Sequence, residues 1–305
     1  MLFQPPPTVA TQVFARLPDA LRKSGADTEW HRGQPGTHPA HSLLEGPAFD
    51  RDGTLWCVDI PYGRIFRVSP QGEFSTAVEY RGEPNGLAIH RDGRIFIADY
   101  ANGIMVLDPA TGEVTPFVTR VRLERLKAVN DLVFASNGDL YFTDQGLTGL
   151  HDPTGRVFRV RADGRIDCLL DNIPSPNGIA LDPSETTLYV AVTRANAVWR
   201  VPLMSDGGVA KVGNFIQLSG GGGPDGLAVD SAGNIAVAHI GLGIVWLFSS
   251  RGIPIARVES TVGFHTTNMA YGGAQGCTLF ITESESGSLL QAEMPAPGLT
   301  LFSHR

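Results

Sequence analysis

Short apolar runs alternate with polar turns along almost the whole chain, and this alternation has a long period. One pattern, a polar residue followed by small and apolar residues, occurs six times. The residues that lead the six copies are Glu45, Asn85, Asn130, Asn177, Asp225 and Asn268. They are 40 to 48 residues apart, a period that is typical of repeat proteins. We call these six positions the lead residues.

The pattern of each repeat predicts four short strands. In the first copy the lead residue opens an apolar run, a turn ending at Gly53 follows, and further strands are expected at residues 55–59, 64–68 and 74–78. Asp-Gly and Asn-Gly turns between β-branched and aromatic runs predict hairpins, and no segment has sustained helical periodicity. Six such units predict an all-β fold, a six-bladed β-propeller with four-stranded blades.

The repeats divide the chain into a propeller at residues 42–305 and an N-terminal extension at residues 1–41. Residues 24–41 are rich in Gly, Pro, His and charged residues, which favours a loop or a lid over one mouth of the channel. To close the ring, the outer strand of the last blade could come from residues 13–17 or from residues 299–303. The sequence leaves both possibilities open.

Composition excludes several classes of protein. Hydrophobic residues make up 42% of the 305 positions, enough for a packed core, and the net charge of −7 argues against partners such as nucleic acids and anionic membranes. The three cysteines lack the spacing of a disulfide framework or a zinc site. There is no signal-peptide pattern and no run of 18 apolar residues. We therefore expect a cytoplasmic protein, monomeric or dimeric.

The lead residues also suggest chemistry. Inner strands line a propeller's channel, so the six side chains are expected at one mouth, and all carry oxygen donors. Glu45 and Asp225 together balance a divalent cation, and oxygen ligands favour calcium over zinc or copper. Alternatively, Asn-Gly and Asp-Gly simply turn the chain, although Glu45 is a poor turn residue. Asp131, Asp144 and His265 fall near the same end.

Five segments carry a specific set of motifs in a fixed order: residues 44–50, 130–134, 141–144, 176–181 and 223–227. Together they resemble the SMP-30/gluconolactonase/luciferin-regenerating family of calcium-dependent propeller hydrolases, and in particular its drug-responsive lactonase branch. The resemblance covers roughly residues 42–290. It implies the same propeller fold that the periodicity predicts.

The resemblance implies one catalytic calcium ion in the channel, with Glu45, Asn130, Asn177 and Asp225 as ligands; other divalent ions are possible. The implied activity is the opening of a small-molecule lactone, with the metal as Lewis acid and Asp225 as general base or nucleophile. Drug-responsive lactonases have Asp where this chain has Asn130, so this shell has one negative charge fewer. Ala128 replaces an arginine of some gluconolactonases, which puts sugar-lactone specificity in doubt.

Five further residues are candidates for binding substrate: Asn85, Asp131, Asp144, His265 and Asn268. His265 could also assist proton transfer near neutral pH. Two other functions are open. One is phosphotriester hydrolysis on the same metal, and the other is a non-catalytic, NHL-like ligand-binding or scaffold propeller. The scaffold hypothesis predicts uniform lead residues and no tight metal site, and the mixture of Glu, Asp and Asn argues against it.

Overall fold

The computed structural model describes residues 5–24, 27–36 and 41–305. Six sheets of four or five strands stand around a central channel, and within each sheet the strands follow one another from the channel outwards. The prediction of a six-bladed β-propeller with four-stranded blades is confirmed. No helix in these described ranges is long and apolar enough to cross a membrane.

The N-terminal segment contains β1 (Thr8–Ala10), β2 (Gln12–Arg16) and the short helix α1 (Glu29–Gly33). The first blade consists of β3 (Leu44–Phe49), β4 (Leu55–Asp59), β5 (Arg64–Val68) and β6 (Phe74–Glu79), and the second of β7 (Pro84–Ile89), β8 (Ile95–Asp99), β9 (Gly103–Asp108) and β10 (Glu113–Val118). A hairpin of β11 (Arg120–Val121) and β12 (Glu124–Arg125) follows. The third blade consists of β13 (Val129–Phe134), β14 (Leu140–Asp144), β15 (Gly155–Val160) and β16 (Ile166–Ile173).

The fourth blade consists of β17 (Pro176–Leu181), β18 (Thr187–Val192), β19 (Ala197–Pro202) and β20 (Gly213–Gln217). The fifth contains β21 (Gly223–Val229), β22 (Ile235–Ile240), β23 (Ile244–Phe248) and β24 (Pro254–Glu259), and the sixth contains β25 (Thr266–Gly272), β26 (Thr278–Glu283) and β27 (Ser288–Glu293). Short 3-10 turns lie at Asp19–Leu21, Ile60–Tyr62, Thr193–Ala195 and Phe302–His304.

The N-terminal segment supplies the strand that closes the ring. β2 pairs antiparallel with β27, with Gln12 opposite Gln291, and so becomes the outer strand of the sixth blade. β1 pairs parallel with β24 and adds a fifth strand to the fifth blade, which the repeat pattern did not predict. Residues 299–303 form no strand. Backbone hydrogen bonds between β2 and β27 thus join the N-terminal segment to the last strand of the propeller.

The core lies between blades rather than at the centre of the molecule. Among the described residues, six hydrophobic clusters are each shared by two adjacent blades. For example, Trp56 and Ile65 of the first blade pack with Ile97 and Met105 of the second. Inner and second strands are therefore buried on both faces, which explains their almost continuous apolar sequences.

Each inner strand is irregular at its lead residue. The pairing register between the inner and second strands shifts between residues 45 and 48, 84 and 86, 129 and 132, 176 and 179, 224 and 227, and 266 and 269. An irregularity of the β-bulge kind bends a strand and changes the direction of its side chains. The lead residues therefore lie inside strands, not in turns.

The glycine that follows a lead residue allows neighbouring inner strands to approach closely. A Cβ atom built on Gly178 would overlap the backbone carbonyl oxygen of Asp225, and one on Gly226 would overlap Asn268 Oδ1. Neither glycine has a positive φ. Gly53 and Gly93, in contrast, adopt φ of 78° and 92° in hairpin turns, where glycine meets a conformational requirement.

We predict that Gly178→Ala destabilises the protein by about 2–3 kcal/mol, because the new methyl group overlaps main-chain atoms that have no room to move. Equilibrium denaturation in urea measures this. Gly213→Ala is the matched control, since a Cβ there meets no atom within 4 Å, and its effect should stay within about 0.5 kcal/mol. Equal stabilities of the two variants would contradict the close approach of the inner strands.

The C-terminal segment closes the channel at the end opposite the lead residues. Phe302 stacks on Phe134, with ring centroids 5.2 Å apart, and Arg51 donates a hydrogen bond to the carbonyl oxygen of Ser303. A cavity of about 170 Å³ lies between this segment and the lead residues, lined mostly by apolar side chains of the inner strands. The lead-residue mouth is consequently the open approach to the channel.

The predicted lid includes residues 25–26 and 37–40, which lie outside the described residues. In the described part of this segment, α1 packs Trp30 against Leu43 and Ile60. The negative charge of Glu29 acts on Glu83, which precedes an inner-strand lead residue. This places α1 beside the lead-residue mouth; a lid function for the segment stays a prediction.

Candidate metal centre

The lead side chains form a buried ring at one mouth of the channel. All six are 3–8% exposed, although every one of them carries polar oxygen atoms. Their shared burial follows from the inner-strand bulges, which repeat at the same point of each blade. Buried polar atoms require partners. The hydrogen bonds of each lead residue therefore show which of its atoms are already paired within the protein and which could bind a ligand.

Glu45 and Asn268 are joined across the seam between the first and sixth blades. The Asn268 amide nitrogen donates to Glu45 Oε2 at 2.9 Å, and the backbone N–H of Gly46 donates to the same oxygen. Asn268 Oδ1 accepts from the Met269 N–H at 2.8 Å. Asn268 therefore orients Glu45, and a contact of Asn268 with substrate stays a prediction.

Asn177 and Asp225 form a second pair, because the Asn177 side chain hydrogen-bonds to the Asp225 carboxylate. Burial raises the pKa of Asp225 to about 7, the hydrogen bond from Asn177 opposes this rise, and the charge of Asp131 adds to it. These two lead residues belong to adjacent blades, the fourth and the fifth. The pair places a carboxylate of raised pKa at the channel mouth.

Asp131 lies next to the ring on the channel side. Its carboxylate accepts backbone N–H groups of Leu132 at 2.8 Å and of Ile179 at 3.2 Å. Burial nevertheless raises the pKa of Asp131 to about 7, because these two hydrogen bonds only partly offset the loss of water. Burial also raises the pKa of Glu45 well above its usual range, and the charges of Asp225 and Asp131 raise it further.

This arrangement suits a hard divalent cation. Glu45, Asp131 and Asp225 are buried and repel one another, and none forms an ion pair with a lysine or arginine in the part of the chain that is described. Buried carboxylates are normally paired or bound to metal. A group of His, Cys, Asp and Glu alone that could hold a metal is not found among the described residues. The amide oxygens of Asn130 and Asn177 would therefore have to contribute.

Residues that the sequence did not single out support Asn130. Its amide nitrogen donates to Gln145 Oε1 at 3.0 Å, and the Tyr100 hydroxyl donates to the same oxygen. Gln145 in turn donates to Ser175 Oγ at 2.9 Å. Tyr100 and Gln145 each directly follow the aspartate that ends a second strand. This shared position was the signal in the sequence that could have identified them.

Asp144 has a structural role in the arrangement observed. It is fully buried, accepts the backbone N–H groups of Lys127 and Ala128 at 2.7 and 2.9 Å, and pairs with Arg156. Both of its carboxylate oxygens thus have partners within the protein, and a contact of Asp144 with substrate stays a prediction. His265 is half-buried, and its backbone N–H donates to Glu283 at 3.1 Å.

Asn85 is buried in the ring like the other lead residues, at 6% exposure. Its backbone carbonyl oxygen lies against Gly46 of the preceding blade. Contacts of Asn85 and His265 with substrate stay predictions.

The fold and the site together define a six-bladed propeller with a buried, acidic, oxygen-lined centre at one mouth of its channel. A model of the SMP-30/gluconolactonase/LRE-like region matches residues 43–285. The chain belongs to this family, as the motifs had indicated.

Named relatives agree with this assignment. Lactonase drp35 of Staphylococcus aureus is 34% identical over 227 residues, which cover 70% of this chain and 69% of that protein. A gluconolactonase structure from Xanthomonas campestris is 27% identical, with a TM-score of 0.73 over 83% of this chain and 86% of that one. The calcium-binding protein regucalcin from Agrobacterium tumefaciens is 25% identical, with a TM-score of 0.77 over 98% and 99%.

Proposed function

We propose that this protein is a calcium-dependent lactone hydrolase. The observation that supports this most is the convergence of buried carboxyls and amides at the channel mouth without cationic partners among the described residues, in a chain whose relatives are named lactonase and gluconolactonase. The regucalcin likeness supports calcium as the metal. The substrate class is a small molecule that reaches the open mouth.

In this proposal Glu45, Asn130, Asn177 and Asp225 hold the metal. When bound, calcium supplies a Lewis acid that polarises the lactone carbonyl and offsets the negative charge of the transition state. The protein contributes orientation: Asn268 holds Glu45, and Gln145 holds Asn130. Side chains fixed in this way lose little freedom when the substrate binds.

Asp225 is the group proposed to act on the substrate. Its carboxylate either accepts a proton from the attacking water or attacks the carbonyl carbon itself. In both routes the ring C–O bond breaks and the ring oxygen leaves and takes up a proton. In the second route water then hydrolyses the anhydride formed with Asp225. Asn177 hydrogen-bonds to this carboxylate and so fixes its direction.

The proposal predicts that purified protein opens γ- or δ-lactones only with calcium. We expect one calcium ion per chain by elemental analysis, and at least a 100-fold loss of acid release in a pH-stat after chelation, restored by added calcium. A parallel panel of phosphotriesters tests the alternative chemistry on the same metal. Faster cleavage of phosphotriesters would favour that alternative, and a chain without stoichiometric metal or activity would favour a scaffold.

A further inference from the structure

Arg194 lies at the rim of the candidate metal centre on a rigid turn. The Thr193–Ala195 turn follows β18, and the Thr193 backbone N–H donates to the Ser175 carbonyl at 3.0 Å. The Thr193 hydroxyl donates to the Pro224 carbonyl at 2.8 Å. Pro224 directly precedes Asp225 in the chain. The turn that carries Arg194 is therefore tied to the backbone that carries Asp225.

The stem of the Arg194 side chain lies beside the neighbouring third blade. A Cβ atom built on Gly149 would lie 3.7 Å from Arg194 Cγ, so the aliphatic stem runs beside the loop that follows Gln145. The positive charge acts on both Asp225 and Tyr100. The guanidinium group thus lies near the carboxylate of Asp225 and near the hydrogen-bond network of Asn130.

This arginine differs from the others that lie near the blade ends. Arg64 and Arg156 are buried and paired with Asp59 and Asp144, the aspartates that end second strands. Arg194 is exposed, and no hydrogen bond or ion pair joins its side chain to another residue of the described ranges. An unpaired, exposed guanidinium next to an acidic centre is available to a ligand.

The chemistry of the guanidinium group indicates which ligand it would take. Its planar pair of N–H donors matches a carboxylate in a bidentate arrangement, which a neutral hydroxyl or ether cannot reproduce. Asp225 makes no direct ion pair with Arg194 in the described structure, so the arginine is not consumed in neutralising that carboxylate. An anionic substituent on the substrate would fill this place.

We propose that Arg194 binds a carboxylate substituent of the substrate, so that the preferred lactones carry a carboxylate outside the ring. This inference rests on the proposed lactone hydrolysis. It assigns Arg194 to substrate recognition and leaves the chemical step to Asp225. Specificity then comes from a charged group that is left unsatisfied when a neutral lactone binds.

The kinetic test compares γ-butyrolactone-γ-carboxylate with its neutral carboxamide on the calcium-loaded protein. Arg194→Gln should raise KM for the carboxylate on the order of 30-fold, as expected for one charge-assisted contact, and change the carboxamide less than about 3-fold. Arg194→Lys should recover part of the loss. Arg251→Gln, which changes an exposed arginine on a hairpin turn, should leave both substrates unchanged. Equal loss on the two substrates, or no loss, overturns the proposal.

A binding test separates this proposal from the proposed activity. The ring-opened products of the charged and unsubstituted lactones are 2-hydroxyglutarate and 4-hydroxybutyrate, and calorimetry on the calcium-loaded protein gives their affinities. We expect wild type to bind the dianion on the order of 10-fold more tightly, and Arg194→Gln to lose this difference. Preference for the dianion without turnover of any lactone would refute the activity alone. Turnover without this preference would refute the role of Arg194 alone.

Discussion

Asp225→Asn is expected to lower kcat for lactone opening by at least about 10³-fold, because the amide can neither accept the proton of water nor attack the carbonyl carbon. The side chains have nearly the same shape, so the packing around Asn177 is preserved. Steady-state kinetics with calcium in excess measure the change. If the variant retained a tenth or more of wild-type kcat, Asp225 would be neither base nor nucleophile.

The same variant has a second expected effect, on the stability of the metal-free protein. The pKa of an unfolded aspartate is about 4, whereas burial raises that of folded Asp225 to about 7. The folded state holds this proton more tightly, so the associated stability is present below about pH 4 and is lost as the pH rises through 7. The amide introduced by Asp225→Asn does not ionise, so the metal-free variant should have a Tm higher by on the order of 5 °C at pH 7.5.

Asp163→Asn is the matched control. Asp163 is an exposed aspartate next to Arg165 on a hairpin turn, and its substitution should change neither kcat nor the Tm measurably. A variant with lost activity and a lowered metal-free Tm would indicate a folding defect at position 225 instead of a chemical role.

Glu45→Gln is expected to weaken calcium binding by on the order of 100-fold, because it removes one of the two charges among the proposed ligands. Titration with a competing fluorescent chelator measures this affinity. Glu113→Gln, on the exposed edge strand β10, is the control and should bind calcium like wild type. Undiminished affinity in Glu45→Gln would place the metal away from Glu45.

Protons should compete with calcium at this site. Burial raises the pKa values of Asp131 and Asp225 to about 7 and raises that of Glu45 as well. The metal-free site therefore holds protons near pH 7 that a cation must displace. Calcium affinity in wild type should therefore rise between about pH 6 and pH 8, by up to tenfold per unit for each proton displaced. Glu45→Gln should reduce this slope, and a flat profile in wild type would contradict proton competition.

The recurrence of one pattern along the chain carried most of what could be predicted about the fold. The six lead residues, the hairpin glycines such as Gly53 and the apolar second strands recur at intervals of 40 to 48 residues, and a ring of blades follows from that repetition. Ring closure could not be predicted, because residues 13–17 and 299–303 have similar apolar patterns. Only the pairing of β2 with β27 decides between them.

The charged residues of the candidate site could also be predicted from the comparison of the six repeats. Glu45 and Asp225 stand out in sequence because they are charged at positions where the other repeats have Asn. Tyr100 and Gln145 share a position directly after a strand-ending aspartate, but their residue types differ and do not recur at that point in the other blades. Arg194 has no counterpart of its residue type after the other second strands. Their roles come from contacts between residues of different blades, such as the hydrogen bond from Tyr100 to Gln145 and the action of the Arg194 charge on Asp225.

The sequence by itself determined the strands, their turns, the number of blades and the kind of ligand atoms at the channel mouth. Turn chemistry and side-chain type are properties of short segments, and the repeat period can be counted along the chain. Three-dimensional structure alone decided which end of the chain closes the ring and which polar groups orient Glu45 and Asn130. It also decided that the Asp131 carboxylate accepts the backbone N–H groups of Leu132 and Ile179 and that Arg194 has no partner within the described ranges. Ring closure and the polar contacts of the site depend on residues that lie far apart in the chain. The pKa values of the site carboxyls depend on burial and on nearby charges, which the folded structure alone brings together.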